Sequence, residues 1–335
     1  MRLKNVKISM NATKTKSYPY SMNKTFRTHF TENHVHALRA VELLVNATPK
    51  SVAFSYGHTG NHSANYWRRY LSDLANRKLV ICKPIYMSAT HKKGGKSGQR
   101  QGSLFAATAD GIKCLAENTG KPVEAFYYPK GGITSESPLM YPHRAALLEV
   151  LGLIIGLEKK LEDFEVLEII PYFRHENTST ENKTGFAIGR VEVQQDSGPP
   201  YKSAVLIPDA IVKIRFGNRL RLVVIELHRQ TSVKDIIEAL RKHAKAIDAE
   251  VFNQKFEVPG LNFVLSIHTD QGKHDNTLKQ IKEGAFPDLE DYIEGFNFAT
   301  LDKLIEGGIN ESLSQLDRTK GRIFEDFWID TESVT

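Results

Sequence analysis

Cysteine is nearly absent from this 335-residue chain, which has only Cys82 and Cys114. Two cysteines at that separation supply neither a disulfide framework nor the paired spacing of a zinc site, and both read as reduced filler. Long apolar runs are missing too: none approaches the roughly 18 residues that a membrane helix needs. Residues Met1 to Tyr20 are polar and basic and contain no apolar signal core, so the expectation is a cytoplasmic protein with no membrane association. Nor is the composition that of a disordered or fibrous chain. With 41% hydrophobic and 25% charged residues it matches soluble globular proteins, and the length suits about two domains of roughly 150 residues.

Acidic residues are scarce in the front of the chain. Residues 1–125 carry about 20 Lys and Arg against about 6 Asp and Glu, leaving roughly 25 against 33 for the remainder. The net charge of +6 therefore averages a basic front and an acidic back. A basic domain is the footprint of a polyanion partner, because each cation that neutralises a phosphate releases condensed counterions. Double-stranded DNA is the expected partner.

Residues 1–30 read as a flexible basic arm, rich in Lys, Ser, Thr and Asn. From Thr31 to Ala47, apolar residues recur at Val35, Leu38, Val41, Leu44 and Val45, which predicts a first helix. Pro49 opens a short second helix to about Ser55, and Gly57 to Gly60 form a turn. A third helix runs from about Ser63 to Asn76, with Trp67, Tyr70, Leu71 and Leu74 inward. Asn61, His62, Asn65, Tyr66, Arg68 and Arg69 are left for its exposed side. A strand Leu79 to Tyr86, a basic glycine-rich loop from His91 to Arg100, and a strand Ser103 to Thr108 follow. Thr108 then caps a helix through Glu117. The order helix-helix-helix-strand-loop-strand-helix is that of a winged helix-turn-helix over residues 31–120. Its third helix would reach base edges through Asn61, His62, Asn65, Arg68 and Arg69, while Lys92, Lys93, Lys96 and Arg100 of the wing would hold phosphates.

Residues 121–140 hold Pro122, Pro129, Gly131, Gly132 and Pro138 and read as a linker. A second domain is expected over residues 141–310, with a tail at 311–335. It opens with an apolar helix from Pro142 to Leu161 and a strand from Glu165 to Phe173. Strands follow at Ala204–Ile207, Ala210–Arg215 and Leu220–Glu226, the last two joined by Gly217-Asn218 as a hairpin turn. A helix Val233–Val251, a strand Asn262–His268, a helix Lys273–Glu283 and a strand Phe296–Ala299 complete a mixed α/β (α+β) sheet.

Pro208-Asp209 heads one strand of that hairpin, and Glu226-Leu227-His228 ends the other. Pairing brings Asp209 and Glu226 to neighbouring strand ends, where their oxygens can share Mg²⁺ or Mn²⁺, ions that take hard oxygen ligands. The chemistry of such a site is phosphodiester cleavage: the metal polarises the phosphate and activates water, and a cationic side chain stabilises developing charge. These motifs resemble those of the PD-(D/E)XK restriction-endonuclease-like superfamily. His228 stands where that superfamily usually has Lys, and a histidine is mostly neutral near pH 7. The resemblance implies a lysine supplied from elsewhere, with Lys242 and Lys245 as candidates, and Glu149 as the acid of the first helix.

More narrowly, a winged helix, then His143 on a helix, Pro208-Asp209-Ala210, and Glu226-x-His228 with a downstream helix resemble the replication-relaxation family, which includes plasmid mobilisation relaxases of the conjugation machinery. That family more usually shows Glu-x-Asp at the last motif. The resemblance implies nicking or origin recognition on plasmid DNA, with relaxosome or coupling proteins as further partners. The alternative is a non-catalytic replication or transcription regulator, in which a degenerate nuclease fold serves homodimerisation or partner docking; His228 is the feature that favours it. Tyr127, Tyr128, Tyr141 and Tyr172 lie near the expected domain junction, and their spacing singles out none as a covalent nucleophile.

Overall fold

The computed structural model describes residues 29–58, 61–86, 100–133, 140–174, 191–194, 203–259, 263–283, 295–309 and 314–315. Its front part is built from α1 (Glu32–Leu43), α2 (Pro49–Ser55), α3 (Asn61–Asn76), the antiparallel pair β1 (Val80–Tyr86) and β2 (Arg100–Ala107), and α4 (Ala109–Thr119). The caps are local. Thr48 precedes Pro49 and its side chain accepts from Ser51 N–H, and Thr108 accepts from Gly111 N–H in the same way, each satisfying a donor that the first helical turn leaves orphaned. The first helix ends earlier than its apolar period suggests, because Val45 takes a positive φ of 62° and Ala47 pairs with Phe105 as an isolated bridge. Leu38, Val41, Leu44, Trp67, Leu71, Leu74, Leu104 and Leu115 are fully buried there, each burial contributing on the order of 1.5–3 kcal/mol against exposure.

The rest of the chain builds a six-stranded mixed sheet. β3 (Phe164–Pro171), β6 (Ala210–Phe216) and β7 (Arg219–His228) run antiparallel, and β8 (Phe263–His268) and β9 (Phe296–Thr300) continue parallel to β7. The two-residue β10 (Ser314–Gln315) closes the far edge, and β4 (Val191–Gln194) pairs with β5 (Ser203–Leu206) in a separate hairpin. Gly217, at φ +56°, supplies the tight turn between β6 and β7, a conformation that glycine adopts without a Cβ penalty.

Two faces explain the apolar run of β7. Val223, Ile225 and Leu227 pack with α5 (Tyr141–Gly156), whereas Leu222 and Val224 pack with α6 (Val233–Asp248). Strands covered on both faces read as continuous hydrophobic stretches. The helix expected from Val233 to Val251 ends at Asp248: Glu250 takes a φ of 50°, and a further helix, α7 (Val251–Phe256), starts beyond it. Helix α8 (Gln271–Lys282) and the short α9 (Leu301–Gly307) complete the described helices.

Helix α5 joins the two parts. It is apolar on nearly every side, the pattern of a helix buried all round, because α2 covers one flank and the sheet another. Its glycines permit the approach: a Cβ at Gly152 would collide with the Ser51 carbonyl, and one at Gly156 would lie 2.5 Å from that of Phe54. One hydrophobic cluster consequently runs from α1 through α5 to β6 and β8. The residues read as a linker are packed as well. Phe126, Tyr127 and Tyr128 lie against that cluster, and Tyr127 N–H donates to the buried Glu42 carboxylate at 2.9 Å. Among the described residues, no helix is long and apolar enough to cross a membrane.

Candidate functional site

The β6–β7 pairing sets Ala210 opposite Ile225, so the next step of the register sets Asp209 opposite Glu226. Asp209 is held from three directions. His143, on the first turn of α5, donates from Nε2 to Oδ1 at 2.8 Å; Leu227 N–H donates to Oδ2 at 2.7 Å; and the Asp209 carbonyl accepts from Tyr172 N–H at 2.9 Å. The Tyr172 ring lies 5.9 Å from that of His143. Burial opposes the charge on His143, but the hydrogen bond and charge of Asp209, with Glu226 behind it, outweigh burial and raise its pKa. That shift favours the charged form of His143.

Glu226 faces α6. Its Oε1 accepts from His243 Nε2 at 2.7 Å, and His243 is wholly buried, with Nδ1 lacking a hydrogen-bond partner among the described residues. Desolvation raises the Glu226 pKa despite His243, and the charge of Asp209 adds to the rise. Nothing in the sequence singles out His243, one apolar-face position on an amphipathic helix; the signal that finds it is its place five residues before the α6 terminus, over the strand end that carries Glu226.

His228 points elsewhere. It hydrogen-bonds Ser266 Oγ at 3.0 Å, which in turn contacts His268 Nε2 at 3.2 Å. Burial pushes His228 down to about 4 and His268 to about 3, so both are neutral near pH 7. Of the two lysines on α6, Lys242 lines a cleft of about 490 Å³ with Glu226, Asp235, Glu238, Val205 and Ile207, whereas Lys245 is not among the residues lining it. Glu149 lies six residues, about 9 Å, beyond His143 along α5. Its Oε2 pairs with Lys50 Nζ at 2.8 Å at the seam with α2, and burial raises its pKa against that lysine.

Among the described residues, no three His, Cys, Asp or Glu side chains converge where they could hold a metal ion. Asp209 and Glu226 are nevertheless a pair of hard oxygen donors, and Mg²⁺ typically takes one or two protein carboxylates and fills its remaining positions with water and phosphate. The pair fits such an ion on that chemistry. An ion there would compete with the proton that Glu226 favours and with the two donors on Asp209.

On α3, Trp67, Leu71 and Leu74 point inward and are fully buried, and Asn65, Tyr66, Arg68 and Arg69 are exposed. Arg68 donates to Asn65 Oδ1 at 3.0 Å, so the two share one face. The Tyr66 hydroxyl is drawn sideways instead, toward Asn33 of α1 at 2.8 Å and Tyr70 at 3.1 Å. Asn61 and His62 open the helix and Arg100 opens β2; their side chains lie outside the description, as do Lys92, Lys93 and Lys96 entirely. Cys82 is exposed on β1 rather than a filler of the core, and Cys114 is buried.

No family model and no curated protein matches the chain. Among solved structures, the restriction endonuclease FokI aligns at 12% identity over 82% of this chain and 69% of its own, with a TM-score of 0.21. A superposition that loose bears on neither fold nor activity.

Proposed function

We propose that this chain binds double-stranded DNA through a winged helix-turn-helix and nicks it, with Mg²⁺ or Mn²⁺, at Asp209 and Glu226 on a PD-(D/E)XK-like sheet. The succession of three helices, a bridge at Ala47, a hairpin and a capping helix supports the first half. The observation that carries the second is the hairpin register that sets Asp209 opposite Glu226 with His143 on the aspartate. When bound, a divalent ion supplies Lewis acidity and an activated water. Asp209 and Glu226 would hold it, Leu227 N–H and His143 orient Asp209, and His243 orients Glu226. His143 in its charged form takes the charge-stabilising part that the neutral His228 does not. The finer reading is a relaxase-like protein acting at a plasmid origin, with relaxosome or coupling proteins beside it.

Supercoiled plasmid carrying the origin of its own replicon, incubated with Mg²⁺ or Mn²⁺, tests this. Site-specific nicking by the wild type, lost in both Asp209→Ala and Glu226→Ala, is the expected result. Binding without nicking under either metal would leave a second reading, favoured by the buried, uncharged His228: a regulator that uses the sheet for dimerisation or docking.

A further inference from the structure

The strand that leaves the wing packs against the helix that carries His143. Gly102 of β2 lies so close to the Tyr141 hydroxyl that a Cβ there would collide with it, and Tyr141 is the first residue of α5, two before His143. The contact is reinforced along the seam: Arg39 of α1 forms two hydrogen bonds to Glu158 at 2.9 and 3.0 Å, and Lys50 of α2 pairs with Glu149. The backbones of Gly152 and Ser51 are in direct contact, and one hydrophobic cluster spans both sides.

We infer that the Asp209–Glu226 site faces DNA within about one helical turn of the footprint of the head bound to the same molecule, and that Tyr141 and Gly102 are the positioning residues that hold the wing strand in register with His143. Arg100 lies two strand residues from Gly102, about 7 Å at most. His143 lies two helical residues from Tyr141, an axial rise of about 3 Å. With the length of one tyrosine side chain between them, Arg100 and His143 are roughly 20 Å apart. At about 3.4 Å per base pair this is on the order of six base pairs. A hinged pair of domains would allow action at a distance; a shared core and a backbone-to-hydroxyl clamp do not.

This rests on the DNA-binding half of the proposed function and not on intrinsic nuclease activity, so the test supplies its own cutting agent. Ile207, exposed and lining the cleft beside Glu226, is replaced by Cys in a Cys82→Ser chain and coupled to an iron–EDTA chelate. The DNA is a fragment of the replicon's origin, footprinted first by the unlabelled protein. Tethered cuts should fall within about one helical turn, roughly ten base pairs, of the footprint edge. Gly102→Ala, which displaces the Tyr141 ring, and Tyr141→Ala, which removes it, should each weaken them about threefold or more with the footprint kept. A normal footprint with cuts scattered or more than about one turn away would overturn the inference. Unchanged cuts in Gly102→Ala would overturn the clamp. No footprint at all would overturn the DNA-binding reading itself, and this inference with it.

Discussion

At Asp209 each carboxylate oxygen has its own donor, His143 on one and Leu227 N–H on the other, so its replacement is felt on both sides. Asp209→Asn should lower the His143 pKa, read from ring-proton NMR shifts against pH; an unmoved His143 would contradict the pairing. The sign for stability follows. A histidine with a raised folded pKa contributes stability that is complete below its unfolded value near 6.5 and is lost as pH rises through the folded one. Other histidines act oppositely, His34 among them, its pKa lowered chiefly by burial. His36 and His268 are depressed to about 3 and His228 to about 4, chiefly by burial. Their contribution is complete above about pH 6.5 and is lost as pH falls toward those values, each by about 1.4 kcal/mol per pH unit. Glu42, raised to about 7 by burial, opposes them over the same range, so the test is the difference: between about pH 6.5 and 4.5 the urea midpoint of His268→Phe should shift by less toward instability than that of the wild type; parallel profiles would refute the buried neutral state. The placing of Asp209 opposite Glu226 was legible in the sequence because turn chemistry fixes register. His243 was not, since contact across a helix and a strand end leaves no spacing to read.

Elements carry the coupling between the two parts of the chain. Gly152 meets the Ser51 carbonyl, so Gly152→Val must push α2 and α5 apart. The expected destabilisation is about 1–3 kcal/mol by urea unfolding, the usual cost of overpacking; a change below about 0.5 kcal/mol would show that the seam is loose. The Lys50–Glu149 pair beside it is partly exposed and adds little. Glycine in a helix is ordinarily a defect of about 1 kcal/mol, and only the neighbouring backbone explains two of them in α5. That neighbour is distant in sequence, which is why the helix itself was legible and its partner was not. The Gly217 turn between β6 and β7 was legible for the opposite reason: a two-residue loop declares both its strands. The break at Glu250 was not, because no glycine or proline marks it.

For the whole molecule, the proposed function assigns reading to one end of a continuous core and chemistry to another. Charge asymmetry, a property of composition, pointed to the basic end. Arg68 and Arg69 stand exposed on α3, and Arg68→Ala or Arg69→Ala should lower the slope of log affinity against log salt by about one if the arginine holds a phosphate. Fluorescence anisotropy over a salt series reads it, and an unaltered slope and affinity would remove that residue from the interface. The most direct test of the central claim is a Mn²⁺ titration followed by electron paramagnetic resonance. Wild type should bind one ion per chain, more tightly as pH rises and Glu226 gives up its proton, with Asp209→Asn and Glu226→Gln each losing it. Equal binding by all three chains would contradict the account.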